Sequence, residues 1–202
     1  MAEPETDLIQ ATREIIAALD SLKIAYCVGG SLASSIHGIP RATIDGDVVA
    51  VLALRHCRPL HDALLPAFVV SHGAIVQALQ NESSFNAIHR ESLAKVDVFV
   101  PKSHPWYQSQ IERRQLIPFG TEPGAPVFVS TPEDTILAKL DWYRLGGGVS
   151  DRQWGDVLGV IKVQAESLDM AYLRKWAAEL SLSDLLERAF RDSGRSLTEG
   201  SE

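Results

Sequence analysis

The chain has 202 residues, of which 46% are hydrophobic and 22% are charged, and its formal net charge at pH 7 is −7. This length suits one compact domain, or one domain with a small appendage, and the apolar content is sufficient for a core. The acidic balance argues against nucleic-acid binding by broad neutralisation of phosphates, although a local basic patch could still bind RNA.

Neither a membrane span nor a secretory leader is expected. Apolar runs such as residues 48–54 are far too short to cross a bilayer. The acidic N-terminal sequence lacks the basic region and the apolar stretch of a signal peptide. Cys27 and Cys57 show no CxxC or zinc-binding spacing, so both are expected to be unpaired. We therefore expect a cytoplasmic protein with no membrane partner.

Residues 1–130 are predicted to form a mixed sheet with helices. Apolar residues at helical spacing predict a long first helix over residues 7–22. Shorter helices are predicted over residues 32–37, 60–65 and 74–79. Runs rich in Val and Ile predict strands over residues 25–28, 43–52, 85–89, 95–100 and 127–129, the third and fourth of them paired.

The character of the chain changes at residue 130. Thr131 at a cap, followed by Pro132 and two acids, predicts a helix that ends at the glycines 146–148. Ser150 and Gln153 predict a capping box for a helix to about residue 163, and two more helices are predicted over 168–180 and 183–190. The expected organisation is α+β, with an α/β half over 1–130, a helical subdomain over 131–192 and a disordered tail over 193–202.

Two acids in the second predicted strand are candidates for metal binding. Asp45 and Asp47 are separated by one residue, so in a strand they project to the same face. Carboxylates this close repel each other unless a cation lies between them, and Mg²⁺ prefers hard oxygen ligands. The tripeptide alone is a weak signal, because Asp-Gly-Asp also occurs in turns, and Gly46 in a strand indicates either a bulge or a close backbone approach.

A third acid strengthens this hypothesis. Asp97 lies inside a strongly β-forming run, where an acid is either at an exposed edge or directed at a functional centre. Upstream, Gly29 and Gly30 would let backbone N–H groups approach a phosphate at the start of a helix, and Ser31 would add a hydroxyl donor. Three strand carboxylates and a glycine turn are what metal-assisted phosphoryl transfer requires.

The ordered motifs resemble the DNA-polymerase-β-type minimal nucleotidyltransferase superfamily. The matching residues are Gly29-Gly30-Ser31, then Arg41-x-Thr43-x-Asp45-x-Asp47, then Asp97. The segment 132–140, with Arg152 and Asp156 in the next helix, is similar to the AbiEii-type abortive-infection nucleotidyltransferases, which include toxins of toxin–antitoxin systems. The resemblance extends from about residue 25 to about residue 163.

The resemblance implies a fold and a set of roles. The fold is a mixed-sheet nucleotidyltransferase core followed by a C-terminal helical bundle packed on it. Asp45, Asp47 and Asp97 would bind Mg²⁺ or Mn²⁺, and Asp97 would also activate the acceptor hydroxyl. Lys139 would steady the phosphates of a nucleoside triphosphate, and Asp156 would orient Lys139 or the base. The residues that would hold the nucleotide are Gly29, Gly30, Ser31, Arg41 and Thr43.

Without the resemblance, simpler interpretations of the two downstream residues stand. Lys139 would be a solvated helix residue, and Asp156 would be a surface acid paired with Arg152 one turn earlier.

The expected reaction transfers a nucleoside monophosphate from a nucleoside triphosphate to a hydroxyl and releases pyrophosphate. A tRNA 3′ end and a protein hydroxyl are the main candidate acceptors, and a small molecule such as an aminoglycoside is a weaker one. A cognate toxin or antitoxin protein is a further expected partner. The competing hypothesis is a catalytically silent module of a two-protein system that binds a nucleotide or a partner.

Overall fold

The structure is a computed structural model that describes residues 4–120 and 125–195. Contacts divide these residues into two units. The first unit takes in the described residues up to Gly29 and from Ala42 to Ser130, and the second takes in Gly30–Arg41 and those from Thr131 onward. The sequence expectation grouped residues 30–41 with the N-terminal half, whereas contacts group them with the C-terminal helices. Most of the expected tail, residues 196–202, lies outside the described residues.

Helices and strands are interspersed along the described residues. Within the described ranges the strands are β1 Tyr26–Val28, β2 Asp45–Ala50, β3 Phe68–Val69, β4 Ser84–His89, β5 Lys95–Phe99, β6 Gln115–Ile117 and β7 Val127–Val129. The α-helices there are α1 Pro4–Ser21, α2 Gly30–His37, α3 Leu54–Leu64, α4 His72–Gln80, α5 Pro105–Arg113, α6 Pro132–Leu145, α7 Asp151–Gln164, α8 Met170–Glu179 and α9 Ser183–Asp192. None of these helices is long and apolar enough to span a membrane.

All the strands belong to one sheet in the first unit, in the order β3-β4-β5-β2-β1-β7-β6. The β2–β5 and β1–β7 pairs are parallel, and the other pairs are antiparallel. The sheet is therefore mixed, as the sequence predicts, and the α+β class is confirmed. The predicted pairing of the strands near residues 85–89 and 95–100 is also confirmed, because β4 and β5 are antiparallel neighbours.

Helix α1 covers one face of this sheet at β2 and β5. Its apolar residues recur every three or four positions, so they lie on one side of the helix, and they are buried: Leu8, Ala11, Ile15 and Leu19. The hydrophobic stripe thus fixes which face of the sheet becomes core, and it leaves the opposite face of β2 and β5 for polar side chains.

Gly46 is where α1 comes closest to β2. The register between β2 and β5 continues through Gly46 without interruption, so the strand has no bulge there. A Cβ atom at Gly46 would lie 2.7 Å from Thr12 Oγ1. Thr12 is completely buried, and its hydroxyl donates to the Leu8 carbonyl at 2.8 Å. Of the two explanations for this glycine, the close approach is correct.

Five helices make up the described part of the second unit. Helices α6 and α7 pack against each other, and α2 packs against both. The predicted start of α6 is confirmed, since Thr131 Oγ1 accepts a hydrogen bond from the Asp134 N–H at 3.2 Å and Pro132 is the first helical residue. The predicted capping box of α7 is only half formed. Ser150 accepts from the Gln153 N–H at 3.3 Å, whereas Gln153 Oε1 has no hydrogen-bond partner.

Three short elements and one helix start differ from the sequence prediction. The elements β3, α5 and β6 were not predicted. Helix α5 begins with His104 as its cap, whose Nδ1 accepts from the Trp106 N–H at 3.2 Å, and histidine is not a residue that marks helix starts. Helix α3 begins at Leu54 and continues through Pro59, six residues before the predicted start.

A paired substitution tests the contact at Gly46. Gly46→Ala is expected to lower the free energy of unfolding by roughly 1–3 kcal/mol, because the new methyl group overlaps Thr12 Oγ1. In a Thr12→Ala background the same change should cost much less, since the remaining neighbours of that methyl group, Leu8 and Val96, lie at 3.5 Å. Urea unfolding of the wild type, both single variants and the double variant measures the coupling. Equal costs in the two backgrounds would contradict the contact.

Candidate functional site

Strand register places the three predicted acids on one face of the sheet. In the parallel β2–β5 pair, Asp47 lies opposite Asp97, and Asp45 lies opposite Lys95. The alternate residues Val48, Val96 and Val98 are buried on the other face, against which α1 packs. We call Asp45, Asp47, Asp97 and Lys95 the acid group. Because the register continues through Gly46, Asp45 and Asp47 share this face.

Lys95 is the cation of this group. Its Nζ lies 3.0 Å from Asp97 Oδ2 and 3.5 Å from Asp45 Oδ1, and 34% of its side-chain surface is exposed. The hydrogen bond to Asp97 raises the pKa of Lys95, partial burial opposes this, and the nearby Asp45 charge adds to the rise. Lys95 was not predicted to be a site residue, because a lysine at the start of a strand is common. Its spacing of two residues from Asp97 was the available signal.

The acid group has oxygen ligands to offer. Asp97 Oδ1 is buried and has no hydrogen-bond partner. Asp45 and Asp97 share the Lys95 ammonium. Among residues 4–120 and 125–195, no three His, Cys, Asp or Glu side chains are arranged to hold a metal ion as they stand. The donor set therefore suits a hard divalent cation, and the side chains would have to close on it.

Neighbouring residues fix the backbone around the acids. The Thr43 hydroxyl donates to the Asp45 carbonyl at 3.1 Å, and the Gly29 N–H donates to the Asp47 carbonyl at 2.9 Å. Asn86 on β4 lies opposite Asp97 in register and is exposed. Thr43 and Gly29 thus hold the main chain of β2, and Asn86 is a polar neighbour of the acid group that the sequence did not indicate.

A second polar group, in the second unit, contains Ser31, Arg41, Lys139 and Asp156. We call it the basic cluster. Asp156 Oδ1 accepts from Arg41 Nε at 2.6 Å, and Asp156 Oδ2 accepts from Arg41 Nη2 and from Lys139 Nζ, both at 2.7 Å. Ser31 Oγ accepts from Arg41 Nη2 at 2.8 Å and from Lys139 Nζ at 3.3 Å. Four residues that the sequence proposed separately are therefore in direct contact.

Burial decides between the interpretations of Lys139 and Asp156. Their side chains are only 5% and 4% exposed, so the solvated-helix interpretation of Lys139 is wrong. The surface pair of Asp156 with Arg152 is also wrong, because the partners of Asp156 are Arg41 and Lys139. Burial by itself would raise the pKa of Asp156, but the hydrogen bonds from Arg41 and Lys139 outweigh it and hold that pKa below its usual value. Asp156 is thus an ionised carboxylate that holds two cations in place.

The close approach of Gly38 to α7 explains how Arg41 reaches Asp156. A Cβ atom at Gly38, just after α2, would lie 2.7 Å from the Val160 nitrogen of α7. Because Asp156 and Val160 are four residues apart, they lie on the same side of α7. The chain that leaves α2 therefore runs directly over the helix face that carries Asp156.

The start of α2 belongs to the same cluster. Gly30 has φ +54°, a conformation that favours glycine, and it leads directly into Ser31. The first turn of α2 contains no acid. The cluster thus places two cations and one carboxylate next to the N-terminus of a helix. This arrangement is suited to an anion such as a phosphate.

The fold is shared with solved nucleotidyltransferase structures. The antibiotic-resistance factor ANT(2″)-Ia in complex with adenylyl-2″-tobramycin is 14% identical, with a TM-score of 0.59 over 86% of this chain and 96% of that one. The lincosamide antibiotic adenylyltransferase LnuA, bound to lincomycin, is 11% identical, with a TM-score of 0.52 over 76% and 96%. A nucleotidyltransferase-like protein from Paracoccidioides brasiliensis is 19% identical, with a TM-score of 0.51 over 78% and 75%.

No protein-family model matches the chain, and no curated protein matches it either. At the identities above, the structural similarity shows the fold alone. The chain thus has the nucleotidyltransferase fold.

Asp156→Asn tests the electrostatic role of the basic cluster. The substitution removes the buried negative charge that both Arg41 and Lys139 contact, so we expect the free energy of unfolding to fall by about 3 kcal/mol at neutral pH. The pKa of Asp156 is lower in the folded protein than in the unfolded chain. The wild-type advantage is therefore complete above the unfolded-state pKa of about 3.9 and is lost as pH falls through the folded-state pKa. Urea unfolding at neutral and progressively lower pH measures both effects.

The matched control is Asp192→Asn, which removes an exposed carboxylate that pairs with Arg188 at 3.4 Å. Its cost should stay below about 1 kcal/mol. If Asp156→Asn costs no more than this control, the buried cluster does not depend on its carboxylate.

Proposed function

We propose that the protein transfers a nucleoside monophosphate from a nucleoside triphosphate to a hydroxyl acceptor. The observation that carries this proposal is the in-register pairing that puts Asp45, Asp47 and Asp97 on one face, with a buried oxygen of Asp97 that lacks a partner. Nucleotidyltransferases with the same fold support it.

The acid group would hold Mg²⁺ or Mn²⁺. The cation, when bound, supplies charge stabilisation for the attacking and leaving oxygens of an in-line displacement. Asp45 and Asp47 would ligate it from β2, and Asp97 would ligate it from β5 and accept the proton of the acceptor hydroxyl. Thr43 and Gly29 hold the β2 backbone from which the first two carboxylates project.

The basic cluster would bind the phosphates of the nucleotide. Lys139 would donate to a phosphate oxygen, Ser31 and the N–H groups at the start of α2 would add donors, and Arg41 would add charge. Asp156 would keep the two cations at fixed positions, because it already binds both. The contact between Lys139 and Asp156 also supports the AbiEii-type assignment, in which both residues belong to the nucleotide site.

The acceptor class is the finer part of the proposal. A tRNA 3′ end and a protein hydroxyl follow from the AbiEii-type resemblance. The net charge of −7 disfavours a polyanionic acceptor, and two proteins of the same fold are bound to antibiotics or adenylylated antibiotics. A small-molecule hydroxyl, the weaker candidate from the sequence, therefore gains support. Incubation with α-labelled triphosphates and total RNA, cellular protein or aminoglycosides identifies the fraction that takes up label.

A toxin–antitoxin role, with a cognate partner protein, is part of the same proposal. Expression of the active chain alone should then slow the growth of a host cell, and an acid-group variant should not. If cells grow normally while the enzyme is active, the proposed toxin role is wrong, and the proposed transfer reaction still stands.

Asp47→Asn separates an enzyme from a silent binding module. The change removes a charge with almost no change of shape, so the protein should still fold, as checked by circular dichroism and by the melting temperature without divalent ions. Transfer of label should fall by about a hundredfold or more, because one ligand of the catalytic cation is lost. Both quantities are measured on the same preparation.

Asp62→Asn is the control, since it changes the net charge equally at an exposed site in the same unit. A variant of Asp47 that melts much lower would make this residue structural. Magnesium-dependent triphosphate binding without any transfer in the wild type would favour the silent module.

Lys139→Met tests the phosphate role of the basic cluster. The variant keeps the length of the side chain and removes its charge, so binding of the triphosphate should weaken by about tenfold or more. Calorimetric titration with a non-hydrolysable triphosphate measures this, and circular dichroism checks the fold. Lys162→Met, an exposed change on α7, is the control. Unchanged affinity in Lys139→Met would remove Lys139 from the nucleotide site.

A further inference from the structure

The acid group contains a built-in cation. Lys95 and Asp97 lie two residues apart on β5 and so share a face, and register puts Lys95 directly opposite Asp45. The ammonium contacts one carboxylate from each of the two strands, at 3.5 Å and 3.0 Å. Without Lys95, the carboxylates would repel one another across the strand pair, and their charges would have no counter-ion within the group.

We propose that Lys95 competes with the divalent cation for the carboxylates of the acid group. Lys95 thereby sets the Mg²⁺ concentration at which a cation binds to these carboxylates. The inference rests on the proposed function, in that it takes the acid group to be the metal site. It assigns to Lys95 a role that the transfer reaction itself does not require.

Competition follows from shared ligands. Asp97 Oδ2, which accepts from Lys95, is one of the oxygens that a cation at the acid group would need. A divalent cation that close to an ammonium is repelled by it, so the ammonium has to leave as the cation binds. Asp97 Oδ1 is the oxygen already available, because it is buried without a partner. Binding would therefore begin there and be completed by the release of Oδ2.

The side chain of Lys95 can make this exchange. One third of its surface is exposed, and its flexible stem allows the strongly hydrated ammonium to swing into water while the strand stays in place. The buried Lys139 of the second unit has no such exposure, since only 5% of its side chain is accessible.

The opposite role makes the opposite prediction. If Lys95 prearranged Asp45 and Asp97 for the metal, its removal would let the carboxylates splay and would weaken metal binding. If Lys95 competes, its removal strengthens metal binding. The sign of one measured change therefore distinguishes the two roles.

The experiment titrates the nucleotide-free protein with Mn²⁺, followed by electron paramagnetic resonance, in the wild type, Lys95→Met, Lys95→Arg and Lys102→Met. Lys102→Met removes the same charge at an exposed position of the first unit. We expect Lys95→Met to bind Mn²⁺ about tenfold more tightly, a change of about 1.4 kcal/mol. Lys95→Arg, which keeps the charge, and Lys102→Met should stay near the wild type. Asp97→Asn should abolish this binding in either background.

Thermal unfolding gives a second readout. Without divalent ions, Lys95→Met should melt lower than Lys102→Met, because the acids lose their cation. Added Mn²⁺ should raise its melting temperature more than that of the wild type. Unchanged or weaker Mn²⁺ binding in Lys95→Met, with Asp97-dependent binding intact in the wild type, would overturn the role of Lys95 alone. Absence of Asp97-dependent binding in both proteins would overturn that role and the proposed metal site together.

Discussion

The parallel pairing of β2 with β5 is the constraint on which the acid group depends. These strands lie about fifty residues apart in sequence, and only their register puts Asp47 opposite Asp97 and Lys95 opposite Asp45. A slip of one residue would turn the carboxylates towards α1 and the valines towards the polar face. The buried stripe of α1 and the contact between Thr12 and Gly46 both oppose such a slip, because a Cβ atom at this position would overlap the Thr12 hydroxyl. Packing on one face thus orders the charges on the other.

The same kind of constraint operates in the second unit. There the close approach is between Gly38 and the backbone of α7, and it brings Arg41 to the helix face that carries Asp156. Lys139 reaches the same carboxylate from α6. In each unit, two elements approach closely at a glycine, Gly46 or Gly38, because glycine has no Cβ atom. Charged side chains from separate parts of the chain meet as a result.

The sequence indicated local features well and long-range contacts only through the resemblance. The strand pattern around Asp45, Asp47 and Asp97 and the Thr131-Pro132 helix start follow from local periodicity and capping, so they could be predicted. The partners of Asp156 could not, because Arg41 lies 115 residues away and no local pattern encodes that contact. Lys95 was missed for the same reason, since its role depends on strand register. Helix α5 was missed because a histidine caps it, in place of the usual serine, threonine or aspartate.

Shared partners distinguish the two polar groups from ordinary ion pairs of this chain. The exposed pairs Arg58–Asp62 and Arg188–Asp192 join two residues of one helix, four positions apart. In the acid group, by contrast, one ammonium contacts a carboxylate from each of two strands. In the basic cluster, one buried carboxylate contacts two cations that are far apart in sequence. These charges are therefore positioned by strand register and helix packing, whereas a local pair depends only on helical spacing.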